Sequence, residues 1–104
     1  MAWILLLVAA LLEVGWAIGL KVSAGFTKLW PRVWTVLAMV LSMTLLASAA
    51  RTLPIGTAYA VWTGLGAAGT AVLGAYLFGE PATATRAIGI VLIIAGVVLL
   101  KSAG

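Results

Sequence analysis

The chain has no cysteine and no histidine. The first absence excludes a disulfide framework, and the second removes the commonest metal ligand. Acids are almost as scarce, with Glu13 and Glu80 the whole supply in 104 residues. Charged residues make up 8% of the sequence, against roughly 25% in a soluble domain. No nucleophile–base pair and no metal-ligating set emerges, so nothing points to an enzyme or calls for a cofactor. The net charge of +4 does not signal nucleic acid. Lys21, Lys28, Arg32, Arg51, Arg86 and Lys101 flank apolar segments, where basic residues anchor helices at lipid headgroups. No basic patch interleaves with aromatics. There is also no positive stretch ahead of the first apolar run, which continues past Glu13 to Lys21, so a cleaved signal peptide is not expected.

What is present is apolar: 65% of residues are hydrophobic. The chain reads as an all-α integral membrane protein, a single domain over 1–104 with no room for an extramembrane module. Four segments long enough to span a bilayer are predicted, at about 2–20, 33–50, 54–78 and 85–100. Lys21 and the polar Ser23-Ala24-Gly25 stop the first. Pro31 leads into the second, and Arg51 ends it. Pro54 opens the third, where proline suits a first helical turn. Gly79-Glu80-Pro81 closes the third, and Lys101 the fourth. Short loops make consecutive helices antiparallel neighbours. Trp3, Trp30 and Trp34 mark segment ends, as an aromatic belt does, whereas Trp16 and Trp62 fall near mid-membrane. The cations divide too evenly to fix one orientation: Lys21, Lys28, Arg32 and Arg86 face Arg51, Lys101 and the terminal amine.

Glu13 is the only acid inside an apolar segment. It lies about 16 Å along a helix that starts at Ala2, given the helical rise of about 1.5 Å per residue. That is close to the middle of a hydrocarbon core roughly 30 Å thick. An ionisable group at that depth costs at least ~2.5 kcal/mol on insertion scales and marks a cation pathway or proton relay. The bland alternative is a protonated carboxyl bonded to a neighbouring helix.

Ala9, Ala10, Trp16 and Ala17 share a helical face with Glu13 and leave room for a ligand or another backbone. The Trp16 indole N–H is a donor placed to orient the carboxyl. Gly15 and Gly19 read more simply as helix packing. In the third segment Tyr59, Trp62 and Gly66 line one face. A buried tyrosine hydroxyl wants a partner, and Glu13 is the best acceptor available. Two aromatics and a carboxylate describe a cation site, with cation–π attraction of ~0.5–2 kcal/mol; an aromatic packing stripe is the alternative. Gly64, Gly66 and Gly69 spell the dinucleotide fingerprint, but inside an apolar helix the fingerprint lacks its strand and its ribose acid. These glycines suit a hinge or close packing. Ser42 either bonds the carbonyl four residues back or joins the Glu13 network. Gly89, Ala95 and Gly96 suit a helix–helix interface. Glu80 reads as a solvated loop residue.

Four strings carry a resemblance: E-V-G-W-A (13–17), G-F-T-K-L-W-P (25–31), L-P-I-G-T-A-Y-A-V-W-T-G-L-G (53–66) and L-I-I-A-G-V (92–97). On them the chain resembles the small multidrug resistance family over essentially its whole length. Trp16, three residues after the acid, is similar to that family's guanidinium-exporter subtype. The resemblance implies a proton-coupled exporter in the bacterial inner membrane, working as an antiparallel homodimer. Glu13 would bind proton and guanidinium-type cation in turn, within a ring of Trp16, Ser42, Tyr59 and Trp62. The fourth helix would hold the dimer together. Two rivals stand beside it. One is a broad exporter of quaternary ammonium and other lipophilic cations, which cannot donate hydrogen bonds and which Trp16 would obstruct. The other is a non-transporting membrane subunit that stabilises another protein.

Overall fold

A computed structural model describes residues 1–24 and 27–103. Gly25 and Phe26, which fall in the polar stop and open one of the quoted strings, lie outside the described residues. Four helices follow one another: α1 (Ala2–Val22), α2 (Leu29–Ala49), α3 (Ile55–Phe78) and α4 (Ala84–Ala103). All four are long and apolar enough to cross a membrane.

The ends differ from the sequence expectation in ways that backbone chemistry explains. Helix α2 begins at Leu29, not near 33, and takes in Pro31. A proline in the first turn gives up an N–H that has no intrahelical partner anyway. Helix α3 begins at Ile55 with Pro54 as its cap residue. It ends at Gly79, whose φ of 64° is the left-handed conformation that glycine adopts without Cβ strain. Helix α4 runs past Lys101 rather than closing at it, and keeps that cation in its last turn, where it complements the helix dipole. At the other end of α4 the Arg86 amide donates to Thr83 Oγ1 at 3.2 Å, a side-chain cap for the first turn.

Helix α1 packs between α2 and α3, while α4 lies against α3 and reaches α1 through Lys101, whose ammonium sits 5.6 Å from the centroid of the Trp3 ring. The bundle is a flattened row, α2–α1–α3–α4, with extents of 40 × 34 × 16 Å. Small residues set the close approaches. Gly19 of α1 is covered by the Thr35 hydroxyl of α2, and a Cβ there would collide with it, whereas Gly15 faces open space. The core cluster joins Leu6, Ala9, Ala49, Ala58, Val61 and Trp62. Helix α4 contributes no buried residue. Ile88, Val91, Leu92, Val98 and Leu99 of α4 are all more than half exposed.

Candidate functional site

The α1–α3 seam is built from two rows at helical spacing of four: Glu13, Ala17 and Lys21 on α1, and Trp62, Gly66, Thr70 and Gly74 on α3. Gly66 is where Glu13 meets α3. Its missing side chain is the space the carboxylate fills, and a Cβ at 66 would overlap Glu13 Oε1. Oε1 is buried and accepts no hydrogen bond among the described residues. The Trp16 indole N–H is also buried and has no acceptor among them. The expected Trp16–Glu13 bond is not made within one copy, where the partly buried Trp16 ring packs against the apolar cluster that contains Trp62. Buried polar atoms are nearly always paired, so an orphaned acceptor and an orphaned donor three residues apart need an explanation.

One turn towards Met1 the polar atoms are fully used. Trp62 Nε1–H donates to Ser42 Oγ at 2.9 Å. Ser42 Oγ–H donates to the Ala9 carbonyl at 2.7 Å. Ser42 thus bonds neither the carbonyl four residues back nor Glu13. It ties α2 to the α1 carbonyl that, by helical geometry, also receives the Glu13 amide. This relay fixes the α1 turn that carries Glu13 and holds the Trp62 ring, only 6% exposed, beneath it.

Tyr59 departs from expectation. Its side chain is 56% exposed, and its hydroxyl is not bonded to Glu13. The reason is distance: Tyr59 lies seven residues before Gly66, about 10 Å down α3. It stacks instead on Trp62, ring centroids 5.7 Å apart and planes tilted by 49°.

Helix α3 is unbroken through Gly64, Gly66 and Gly69, and each glycine admits a different neighbour. A Cβ added at Gly64 would come within 3.3 Å of Ile93 and Val97 of α4, one at Gly66 would meet Glu13, and one at Gly69 would come within 2.7 Å of Val14. An added Cβ at Gly89 or Gly96 would meet no atom within 4 Å, and Ala95 is exposed, so among the described residues no side chain packs onto this stripe of α4.

The chain matches the family model described as Small Multidrug Resistance protein over residues 1–93. It belongs to the small multidrug resistance family. It is 57% identical over 103 residues to the "Guanidinium exporter" of Yersinia pseudotuberculosis serotype I (strain IP32953), covering 99% of each chain. It is 55% identical over 101 residues to that of Citrobacter freundii, covering 97% of this chain and 96% of the relative. A third "Guanidinium exporter", from Salmonella typhi, is 54% identical over the same length. With family membership, the four apolar helices make the chain a multi-pass protein of the bacterial inner membrane.

Two features of this family member were not anticipated from sequence. The Thr70 hydroxyl oxygen, one turn beyond Gly66 on the same seam, is buried and unpartnered. Glu80 is not simply solvated: it pairs with Lys21 at 3.8 Å and Arg86 at 3.6 Å. The spacing of four from Gly66 was the available signal for Thr70. Glu80 had none, because its partners come from two other parts of the chain.

Proposed function

We propose that this chain exports guanidinium and small substituted guanidinium-like cations in exchange for protons, working as an antiparallel homodimer. The observation that carries the reading is the buried Glu13 oxygen held unpartnered against Gly66. Guanidinium is planar, carries paired N–H donors and matches a carboxylate bidentately. The relatives named "Guanidinium exporter" support the same substrate.

Coupling follows from exclusion. One carboxylate cannot be protonated and ion-paired at once, so each turnover trades a cation for protons at the same oxygens. Ser42 and Trp62 hold the site in shape, Trp16 keeps an unused indole donor three residues along α1 from Glu13, and Tyr59 faces the space that a second copy would close. The flat row of helices supports a dimer, since a row one helix deep cannot enclose a polar cavity beside Glu13 while two facing rows can. The uncovered α4 stripe of Gly89, Ala95 and Gly96 is the surface on which the copies join. Gly64, Gly66 and Gly69 make α3 the helix that bends when the inward- and outward-facing states exchange. Two inverted copies sharing one site give those states equal shape.

The test is transport by purified protein in liposomes with an imposed proton gradient. Guanidinium should move against a panel of substituted guanidinium and quaternary ammonium ions. Proton-driven flux of tetraalkylammonium in preference to guanidinium would reassign the substrate, and absence of any coupled flux would reduce Glu13 to a structural lock.

A further inference from the structure

The Thr70–Glu80 end of the α1–α3 seam holds a cavity of about 90 Å³, bordered by Ala17, Lys21, Thr70, Gly74, Phe78 and Glu80. A single water occupies about 30 Å³ in the liquid, so the space suits a cation of a few heavy atoms. It begins one helical turn beyond Glu13 on α1 and beyond Gly66 on α3, and it ends at the cationic edge of the bundle. Lys21 lies eight residues from Glu13, about 12 Å along α1.

Its walls already hold a cation. The Lys21 ammonium lies over the Phe78 ring, 4.7 Å from the centroid, and 3.8 Å from Glu80 Oε2. Arg86 Nη2 stands 3.6 Å from the other carboxylate oxygen. Both distances are too long for hydrogen bonds, and such half-exposed pairs are weak. Arg86 spends its Nη1 donor on the Pro81 carbonyl at 3.0 Å. Glu80 is thus surrounded by charge yet accepts no hydrogen bond among the described residues. Gly74 lets its carboxylate lie directly on α3, where a Cβ would collide with Oε1. Thr70 Oγ1 is a buried acceptor without a donor.

We propose that this cavity is an outer binding subsite for a guanidinium-type cation, in which the substrate replaces the Lys21 ammonium. Glu80 accepts two parallel N–H bonds, the Phe78 ring covers one face of the planar ion, and Thr70 Oγ1 accepts a remaining N–H on the side towards Glu13. Guanidinium makes the hydrogen bonds that Lys21 at 3.8 Å does not, and it is less strongly hydrated than an ammonium. The subsite is the last station on the seam before Glu13, and it rests on the guanidinium reading of that residue. In an antiparallel pair the two outer subsites open on opposite sides of the membrane.

The test separates the two stations. Purified full-length Glu13→Gln protein is titrated with guanidinium chloride while the backbone amides of Gly74 and Phe78 are followed by NMR. Tetramethylammonium, which has no N–H, serves as the comparison ion. Guanidinium alone should shift both signals saturably. Adding Glu80→Gln should weaken this binding by at least about tenfold, the scale of one lost charge-assisted bond. Thr70→Val leaves every ion pair in place and should weaken it as well. Lys21→Met should strengthen it, since the resident competitor is gone. In otherwise wild-type protein, Glu80→Gln should raise KM for guanidinium export and leave kcat unchanged. A purely structural latch predicts the reverse for Lys21→Met. Weaker binding in that variant, binding indifferent to Glu80, or no shift at Gly74 and Phe78 while the wild type binds guanidinium overturns the outer subsite and leaves Glu13 standing. Failure of the wild type itself to bind guanidinium overturns both.

Discussion

Two adjacent turns of the same seam treat their polar atoms in opposite ways. At the level of Trp62 a relay from indole to hydroxyl to carbonyl uses every donor, with links of 2.9 and 2.7 Å. At the level of Glu13 a carboxylate oxygen and the Trp16 indole N–H are equally buried and equally unbonded. The lower turn is scaffold: it is complete in one copy and needs no ligand. The upper turn is incomplete by itself, and its most economical completion is a proton or a cation with N–H donors. The proposed exchange would use both, a rigid floor and a carboxylate left without a protein donor.

The comparison predicts its largest contrast at Glu13. Glu13→Gln keeps shape and hydrogen-bonding capacity but cannot ionise, so coupled guanidinium flux in liposomes should fall to background while thermal unfolding in detergent still shows a folded protein. Acidification should weaken guanidinium binding in the wild type, because protons occupy the oxygens the cation needs. That dependence should vanish in Glu13→Gln. Retained transport, or unchanged pH dependence in the variant, would remove the carboxylate from the exchange.

Gly66→Ala attacks the upper turn from the opposite wall. Its Cβ would overlap the Glu13 carboxylate, so the carboxylate must leave its seat or the helices must part. Overpacking of this kind costs about 1–3 kcal/mol, and guanidinium KM should rise roughly tenfold if 1.4 kcal/mol of that falls on the bound state. Gly15→Ala is the control, since a Cβ there meets nothing within 4 Å. On helix propensity alone it should be neutral or stabilising by up to about 1 kcal/mol. Equal effects at the two positions would mean that Gly66 is not shaped around Glu13.

How much of this was legible before the structure differs between the two turns for a physical reason. A lone acid in an apolar run announces itself, because the bilayer makes it expensive wherever it lies; Glu13 needed no coordinates. The four helices were legible on the same hydrophobic grounds, apart from their ends, where Pro31 was read as a boundary although a first turn tolerates it. The Ser42 relay was hidden because its acceptor is the Ala9 carbonyl, and a backbone atom leaves no mark in the sequence. The Glu80 pairs were hidden because loop geometry, not periodicity, brings Lys21 and Arg86 to one carboxylate. Within one copy neither Trp16 nor Tyr59 bonds Glu13 among the described residues. Both bonds assume that polar atoms on one face find each other, while packing sets the partly buried Trp16 ring against the core cluster and leaves Tyr59 more than a helical turn below.

The lower turn should respond in stability before chemistry. Trp62→Ala empties a buried site and should cost ~3–5 kcal/mol. Ser42→Ala leaves the Trp62 N–H buried without its acceptor, at about 1–3 kcal/mol. Each is read from thermal unfolding of the purified protein, with transport measured at a temperature where the variant stays folded. Ser42→Ala protein that transports normally and unfolds at the wild-type temperature would show that the relay does not brace the Glu13 turn.

Tyr59→Phe should give the smallest effect, and it sharpens the comparison most finely. The ring contact with Trp62 at 5.7 Å survives the substitution, so the scaffold is untouched and unfolding should move by no more than about 0.5 kcal/mol. Only a hydroxyl on the exposed side of α3 is lost. Within one copy that hydroxyl is too far from Glu13 to matter, which makes the variant a probe of what a second copy brings. If an inverted partner closes the site, the hydroxyl faces the partner's half of the cavity, and its loss should change the ratio of protons to guanidinium moved while the guanidinium rate stays within a few-fold of wild type. The ratio is read from the membrane potential at which net flux stops in a fixed proton gradient. An unchanged reversal potential would assign Tyr59 to the packing side of the comparison, alongside Trp62.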